Sequence, residues 1–96
     1  MFTSSKTTQI TWYGQEHTVK IYWELEYGDF VTITCTVDGK EIVRMFRNKW
    51  TGKKGKRYDD SHFYKLKRCC NDGFKYPRDY PAAFMPIFSI LHGEEL

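Results

Sequence analysis

Between His17 and Arg47, apolar and polar residues alternate with a period of two. Val19, Ile21, Trp23, Leu25 and Tyr27 are separated by Lys20, Tyr22, Glu24 and Glu26; Val31, Ile33, Cys35 and Val37 are separated by Thr32, Thr34 and Thr36. Successive side chains of a strand point to opposite faces, so the pattern predicts two neighbouring strands, each with one buried face and one wet face. A two-residue loop at Gly28-Asp29 would set Leu25 against Thr32 and Trp23 against Thr34. A shift of one residue instead sets Leu25 against Val31, Trp23 against Ile33, Ile21 against Cys35 and Val19 against Val37. Such a slip turns every side chain to the other face, so the apolar match decides the register; it predicts an odd loop, Tyr27-Gly28-Asp29. Asp38-Gly39 predicts the next turn, into a strand over 40–47 that carries apolar residues on both faces. A two-residue turn there puts Ile42, Arg44 and Phe46 towards the core, whereas the alternative register puts Val43 and Met45 there. A helix covering part of the second side would accommodate both. A short first strand is expected over Gln9 to Tyr13, with 1–8 as a flexible tail.

After Arg47 the pattern breaks. Asn48 to Arg57 reads N-K-W-T-G-K-K-G-K-R, and glycine with so many charges predicts a basic loop over 48–58. Asp59, Asp60 or Ser61 can cap a helix, whose stripe Phe63, Leu66 and Cys70 falls at i, i+3 and i+7, with Gly73 as its stop. This helix is expected over about 60–71. Two Tyr-Pro pairs, Tyr76-Pro77 and Tyr80-Pro81, predict an extended connector. The most apolar run of the chain follows, with Pro81 suited to a helix start and Gly93 to a stop. A second helix is expected over about 81–92, kinked at Pro86 or beginning only at Met85 or Pro86. The fold class is therefore α+β: an antiparallel four-stranded β-meander over about 9–47 packed with one or two short helices. A three-stranded core with a helix is similar to several small nucleic-acid-binding folds, although a likeness of fold does not carry function.

Length and composition narrow the class. Ninety-six residues make one domain, and 18% aromatic residues can supply a core without disulfides. Three cysteines are an odd count and Cys69-Cys70 are adjacent, which points to free thiols and a reducing, cytoplasmic setting. The first residues lack the apolar stretch of a signal peptide, and no run of the chain reaches the ~18 apolar residues of a membrane span.

Charge changes the picture most. The net charge is only +3, but the segment 44–68 holds ten cations against two anions, a net of +8, and the remainder holds five against ten, a net of −5. Within it lie Arg44, Arg47, Lys49, Trp50, Lys53, Lys54, Lys56, Arg57, Tyr58, Lys65, Lys67 and Arg68. Cations displace counterions from phosphates and an aromatic ring can stack on an unpaired base, so all of these except the first are the candidate contacts to a nucleic acid or to another partner. Lys53-Lys54-Gly55-Lys56 lacks the Gly-Lys-Ser/Thr ending of a phosphate-binding loop. Asp59, Asp60, Ser61 and His62 are hydrolase residue types, but capping accounts for them more simply, and His62, Cys69 and Cys70 lack a fourth ligand at zinc-like spacing. No catalytic residue, metal, cofactor or small-molecule substrate is expected. Two functions remain. One is a small non-enzymatic module contacting nucleic acid or a nucleic-acid-handling machine through 44–68. The other is a protein-binding inhibitor or adaptor; in size and lack of motifs the chain resembles the small proteins with which phages block host enzymes or defence systems. The strip Tyr22, Glu24 and Glu26 on the wet face is a further candidate surface for a protein partner.

Overall fold

At four points between strands, two adjacent residues take positive φ: Tyr13-Gly14, Tyr27-Gly28, Asp38-Gly39 and Arg47-Asn48, all between 47° and 82°. Two consecutive residues of this kind make the two-residue turn whose twist matches that of the flanking strands, and glycine or asparagine at the second position suits it. In the computed structural model, which describes residues 1–94 and 96 and only the backbone of Lys54, these turns join β1 (Phe2–Trp12), β2 (Gln15–Glu26), β3 (Asp29–Val37), β4 (Lys40–Phe46) and β5 (Lys49–Gly52). A 3₁₀ turn at Lys53–Gly55 leads to a short β6 (Arg57–Tyr58). All six strands form one antiparallel sheet in the order β1-β2-β3-β4-β5-β6. A second 3₁₀ turn, Asp60–Phe63, opens into α1 (Tyr64–Asn71), and a third, Pro77–Asp79, into α2 (Tyr80–Leu91). The fold is α+β, with both helices on one face of the sheet.

The meander is longer at both ends than the expected four strands. Residues 1–8 are not a tail: β1 pairs with β2 from Phe2 opposite Leu25 to Trp12 opposite Gln15. An edge strand needs only one half-buried face, and β-branched Thr3, Thr7, Thr8 and Thr11 suit it, so its polarity hides it from a hydrophobicity pattern. Nor is 48–58 a loop, because most of it is β5, a 3₁₀ turn and β6. Gly52 closes β5 for a steric reason. A Cβ there would lie 2.5 Å from the Tyr58 ring, which crosses the strand at that point.

The central register is as the apolar match requires: Val19 faces Val37, Ile21 faces Cys35 and Trp23 faces Ile33. The turn differs from the expected three-residue loop. It is the two-residue Tyr27-Gly28, and a bulge between Glu24 and Leu25 leaves Val31 as the extra residue, so Leu25 meets Phe30 rather than Val31. The same device resolves β4. Asp38-Gly39 is a two-residue turn, and a bulge opposite Cys35/Thr36 makes Ile42 the extra residue; Ile42 and Val43 therefore both face the core, followed by Met45. No helix covers the second side of β4, where Glu41, Arg44 and Phe46 are exposed.

The helical layer closes the core. Phe63, at the end of the 3₁₀ turn, and Leu66, Cys69 and Cys70 of α1 are buried against the sheet. The Asp59 N–H donates to His62 Nδ1 at 3.1 Å at the start of the first turn, and Gly73, at φ 67°, donates its N–H to the Cys70 carbonyl at 3.1 Å. α2 is one continuous helix from Tyr80 to Leu91 that passes through Pro86, instead of starting at Met85 or Pro86. The carbonyl that Pro86 cannot bond belongs to Ala82, an exposed residue where water can take its place. Trp23 meets Phe74 at 5.5 Å, Phe74 stacks with Phe84 at 6.2 Å, and Trp12 stacks on Phe88 at 5.0 Å. At the other end of β2, Asp38 accepts from the Thr18 N–H at 2.9 Å and lies 2.7 Å from His17 Nδ1; these two bonds hold its carboxyl below the ordinary carboxylate range. Cys35, Cys69 and Cys70 are free and buried, and no helix among the described residues is long and apolar enough to cross a membrane.

Trp23 fixes the apolar register from the middle of the sheet. Trp23→Ala should cost about 3–5 kcal/mol of unfolding free energy in a urea titration; an unchanged midpoint would contradict the register-setting role assigned to this ring.

Candidate nucleic-acid interface

Alternation along β5 sets the geometry of the site. Trp50 points inward and is 1% exposed, so Lys49 and Thr51 point outward. The indole stacks on Phe63 at 4.4 Å, and its N–H donates to Asp60 Oδ1 at 2.6 Å. Asp60 is in turn held by Lys67, whose Nζ lies 3.2 Å from Oδ2 and also donates to Asn48 Oδ1 at 3.3 Å. Sheet and helix are thus tied through one carboxylate.

On the outer face, pairing brings sequence-distant cations into rows. Arg44 lies between Thr34 and Thr51, and Thr51 lies opposite Arg57. In the next row Phe46 lies between Thr32 and Lys49. Neighbouring strands stand about 4.8 Å apart, so Arg44, Lys49 and Arg57 share one small patch on the last three strands. All three are exposed, and so is Phe46, at 55%. The Arg47 guanidinium, from the β4–β5 turn, sits 5.5 Å from the Phe46 ring. Arg44 is bonded to Glu41 at 2.9 Å, but both side chains are about half exposed, and a surface pair of this kind contributes little and exchanges readily. Lys53 and Lys56 are exposed at the β5–β6 hairpin, with the Lys56 ammonium 5.6 Å from the Tyr58 ring. The side chain of Lys54 lies outside the described residues.

The basic segment is therefore not one patch. Lys65, Lys67 and Arg68 belong to α1, in the layer on the other side of the sheet. Arg68 is exposed, Lys65 is half-buried with its ammonium 5.5 Å from the Tyr64 ring, and Lys67 is a structural tie to Asp60. Two aromatic candidates also change role. Trp50 belongs to the core and cannot stack on a base in the folded chain. Tyr58 is half-buried, edge-on to Phe63 at 5.6 Å. An exposed ring within the patch is Phe46, which sequence pattern alone assigned to the core in one register of β4; the bulge at Ile42 turns it to the outer face, and the Arg47-Asn48 turn sets it opposite Lys49.

Several of the other chemistry-bearing groups have structural partners. His62 Nδ1 and Asp60 are engaged as described above. Burial pushes the Cys35 thiol up to about 12 and raises Cys70 further, which keeps both protonated and poorly nucleophilic. Among the described residues no three His, Cys, Asp or Glu side chains gather as metal ligands. The rest of the outer face carries Tyr22, 41% exposed with the Lys20 ammonium 4.6 Å from its ring, and Glu24, which accepts from the Thr32 hydroxyl at 2.8 Å. No protein-family model, curated protein or solved structure matches the chain.

Trp50→Phe keeps the stack on Phe63 and removes the indole N–H. A hydrogen bond to a charged group is worth about 1.5–3 kcal/mol, so the variant should lose roughly that much stability in chemical denaturation while retaining the wild-type circular dichroism spectrum. Wild-type stability would mean that Asp60 does not hold the indole.

Proposed function

We propose that this is a small non-enzymatic binding protein that contacts nucleic acid, alone or within a nucleic-acid-handling machine, through the outer-face part of its basic segment. The observation that carries this reading is the register of β4, β5 and β6, which holds Arg44, Lys49 and Arg57 on one open face beside exposed Phe46. Cations fixed on strands are already positioned when a phosphate arrives, and each phosphate neutralised releases condensed counterions. Arg47, Lys53 and Lys56 extend the patch at its rim. Lys65 and Arg68 are set apart from it on the helical layer.

A second reading is an inhibitor or adaptor of the phage type, blocking a host protein without touching nucleic acid. It is favoured by the outer edge of β1, which has no neighbouring strand among the described residues and borders an apolar groove whose lining includes Ile10, Trp12, Tyr80, Pro81 and Phe84. An open strand edge beside an apolar groove suits an added strand from a partner.

Fluorescence anisotropy with a labelled oligonucleotide over a salt series separates the two. The first reading expects log Kd to rise linearly with log salt, with a slope of about 0.7 per phosphate neutralised on a single strand and about 0.9 on a duplex. Replacing Arg44, Lys49 and Arg57 together with alanine should abolish binding at physiological salt, whereas alanine at Lys65 and Arg68 should leave it nearly unchanged. Absence of binding even at low salt would remove this reading and leave the protein-binding one.

A further inference from the structure

We propose that the site takes single-stranded in preference to duplex nucleic acid, with Phe46 as the platform on which an unpaired base stacks; this rests on the nucleic-acid reading above. Phe46 is 55% exposed, and its cross-strand neighbours are Thr32 and Lys49, so packing gives no reason for a phenyl ring at this position. Around it are Lys49 directly opposite, Arg44 two residues away on the same face of β4, and Arg47 with its guanidinium 5.5 Å from the ring. Thr32, Thr34 and Thr51 make the surrounding floor low, and the ring stands above it. Every base has a π-face that such a ring can accept, and the cations beside it meet the backbone. In a duplex the π-faces are buried in the stack, so a ring on the sheet surface meets them only where a base is unpaired or a step is opened at the expense of unstacking. An unpaired base reaches Phe46 without that expense, which favours the single strand.

The charges on the face also give the strand an orientation. Towards β2 Glu24 faces Thr32 and Lys20 is the one cation of that strand's outer face, while on β4 itself Glu41 pairs with Arg44, so phosphates are less favoured there than along β5 and β6. On the β5–β6 side stand Lys49 and Arg57, with Lys53 and Lys56 beyond. The backbone therefore lies along β5 and β6, and the bases point back across β4 towards β3. Tyr22 is the next aromatic in that direction. It lies two strands and one same-face step from Phe46, about 12 Å by sheet geometry. Arg47 leaves the Phe46 ring for a phosphate at small cost, since an exposed cation–π contact is weak.

The test compares a fluorescein-labelled oligodeoxythymidine of about 15 nucleotides, its duplex with oligodeoxyadenosine, and oligouridine of the same length, each binding wild type, Phe46→Ala and Phe46→Trp. Wild type should bind both single strands more tightly than the duplex, and the ratio of the two single strands tells DNA from RNA. Phe46→Ala should weaken single-strand binding by about 5- to 150-fold, with little effect on the duplex, and Phe46→Trp should restore it with quenching of the new indole. An unchanged circular dichroism melt shows that the alanine variant is folded, as expected for an exposed ring. Equal affinity for single strand and duplex, or single-strand binding that Phe46→Ala leaves unchanged, overturns the stacking proposal while the phosphate reading stands. Absence of binding to all three probes at low salt overturns both.

Discussion

The indole of Trp50 decides which way the basic end of this chain faces. Buried against Phe63 and bonded to Asp60, it fixes the inward side of β5, and the period of two then leaves Lys49 and Thr51 no choice but to point out. Pairing carries that choice to Arg44 and Phe46 on β4 and to Arg57 on β6. Were β5 to slip by one residue, the cations would turn under the helices and the tryptophan into water, at the combined expense of a large aromatic burial and several desolvated charges. The surface chemistry of the outer face is thus a consequence of one residue in the core. Asp60 extends the tie to Lys67, removing a cation from the apparent basic patch to hold α1 against the sheet.

The same two-residue turn, used four times, imposes a register that the apolar pattern does not everywhere satisfy. Two bulges absorb the difference. Val31 and Ile42 are the extra residues, and both are buried. On either side of each bulge the apolar residues keep to the helical face, so the outer face stays polar almost throughout. Threonines dominate its middle, and Tyr22 and Phe46 stand out against them.

What was legible in the sequence follows from where one force dominates. Val19, Ile21 and Trp23 could be matched to Val37, Cys35 and Ile33 because burial of one face outweighs everything else there. The stripe Phe63, Leu66 and Cys70 was legible for the same reason, and Gly73 and Gly93 marked where the two helices stop; the start of α2 was left open, because Pro81 and Pro86 both suit a first turn. Only the end of β1 was legible, as the expected strand from Gln9; its first part, with Phe2 as its one apolar residue, is an edge strand of serines and threonines that gains its stability from pairing with β2. β5 was hidden by the charges around Trp50, and the bulges by the fact that turn geometry and apolar match each predicted a different register. The basic segment was visible as a run of charge, but only pairing shows that it is divided between two layers. Phe46 as an exposed ring, and Trp50 as a buried one, required knowing which side of each strand faces the helices.

The claim that function resides on the outer face of β4, β5 and β6 is tested most directly by titrating isotope-labelled protein with an unlabelled single-stranded oligonucleotide and following backbone and ring NMR signals. The account predicts shifts concentrated at Arg44, Phe46, Lys49, Thr51 and Arg57, with the α1 signals of Lys65 and Arg68 unmoved. Shifts confined to α1, with the outer face silent, would contradict it.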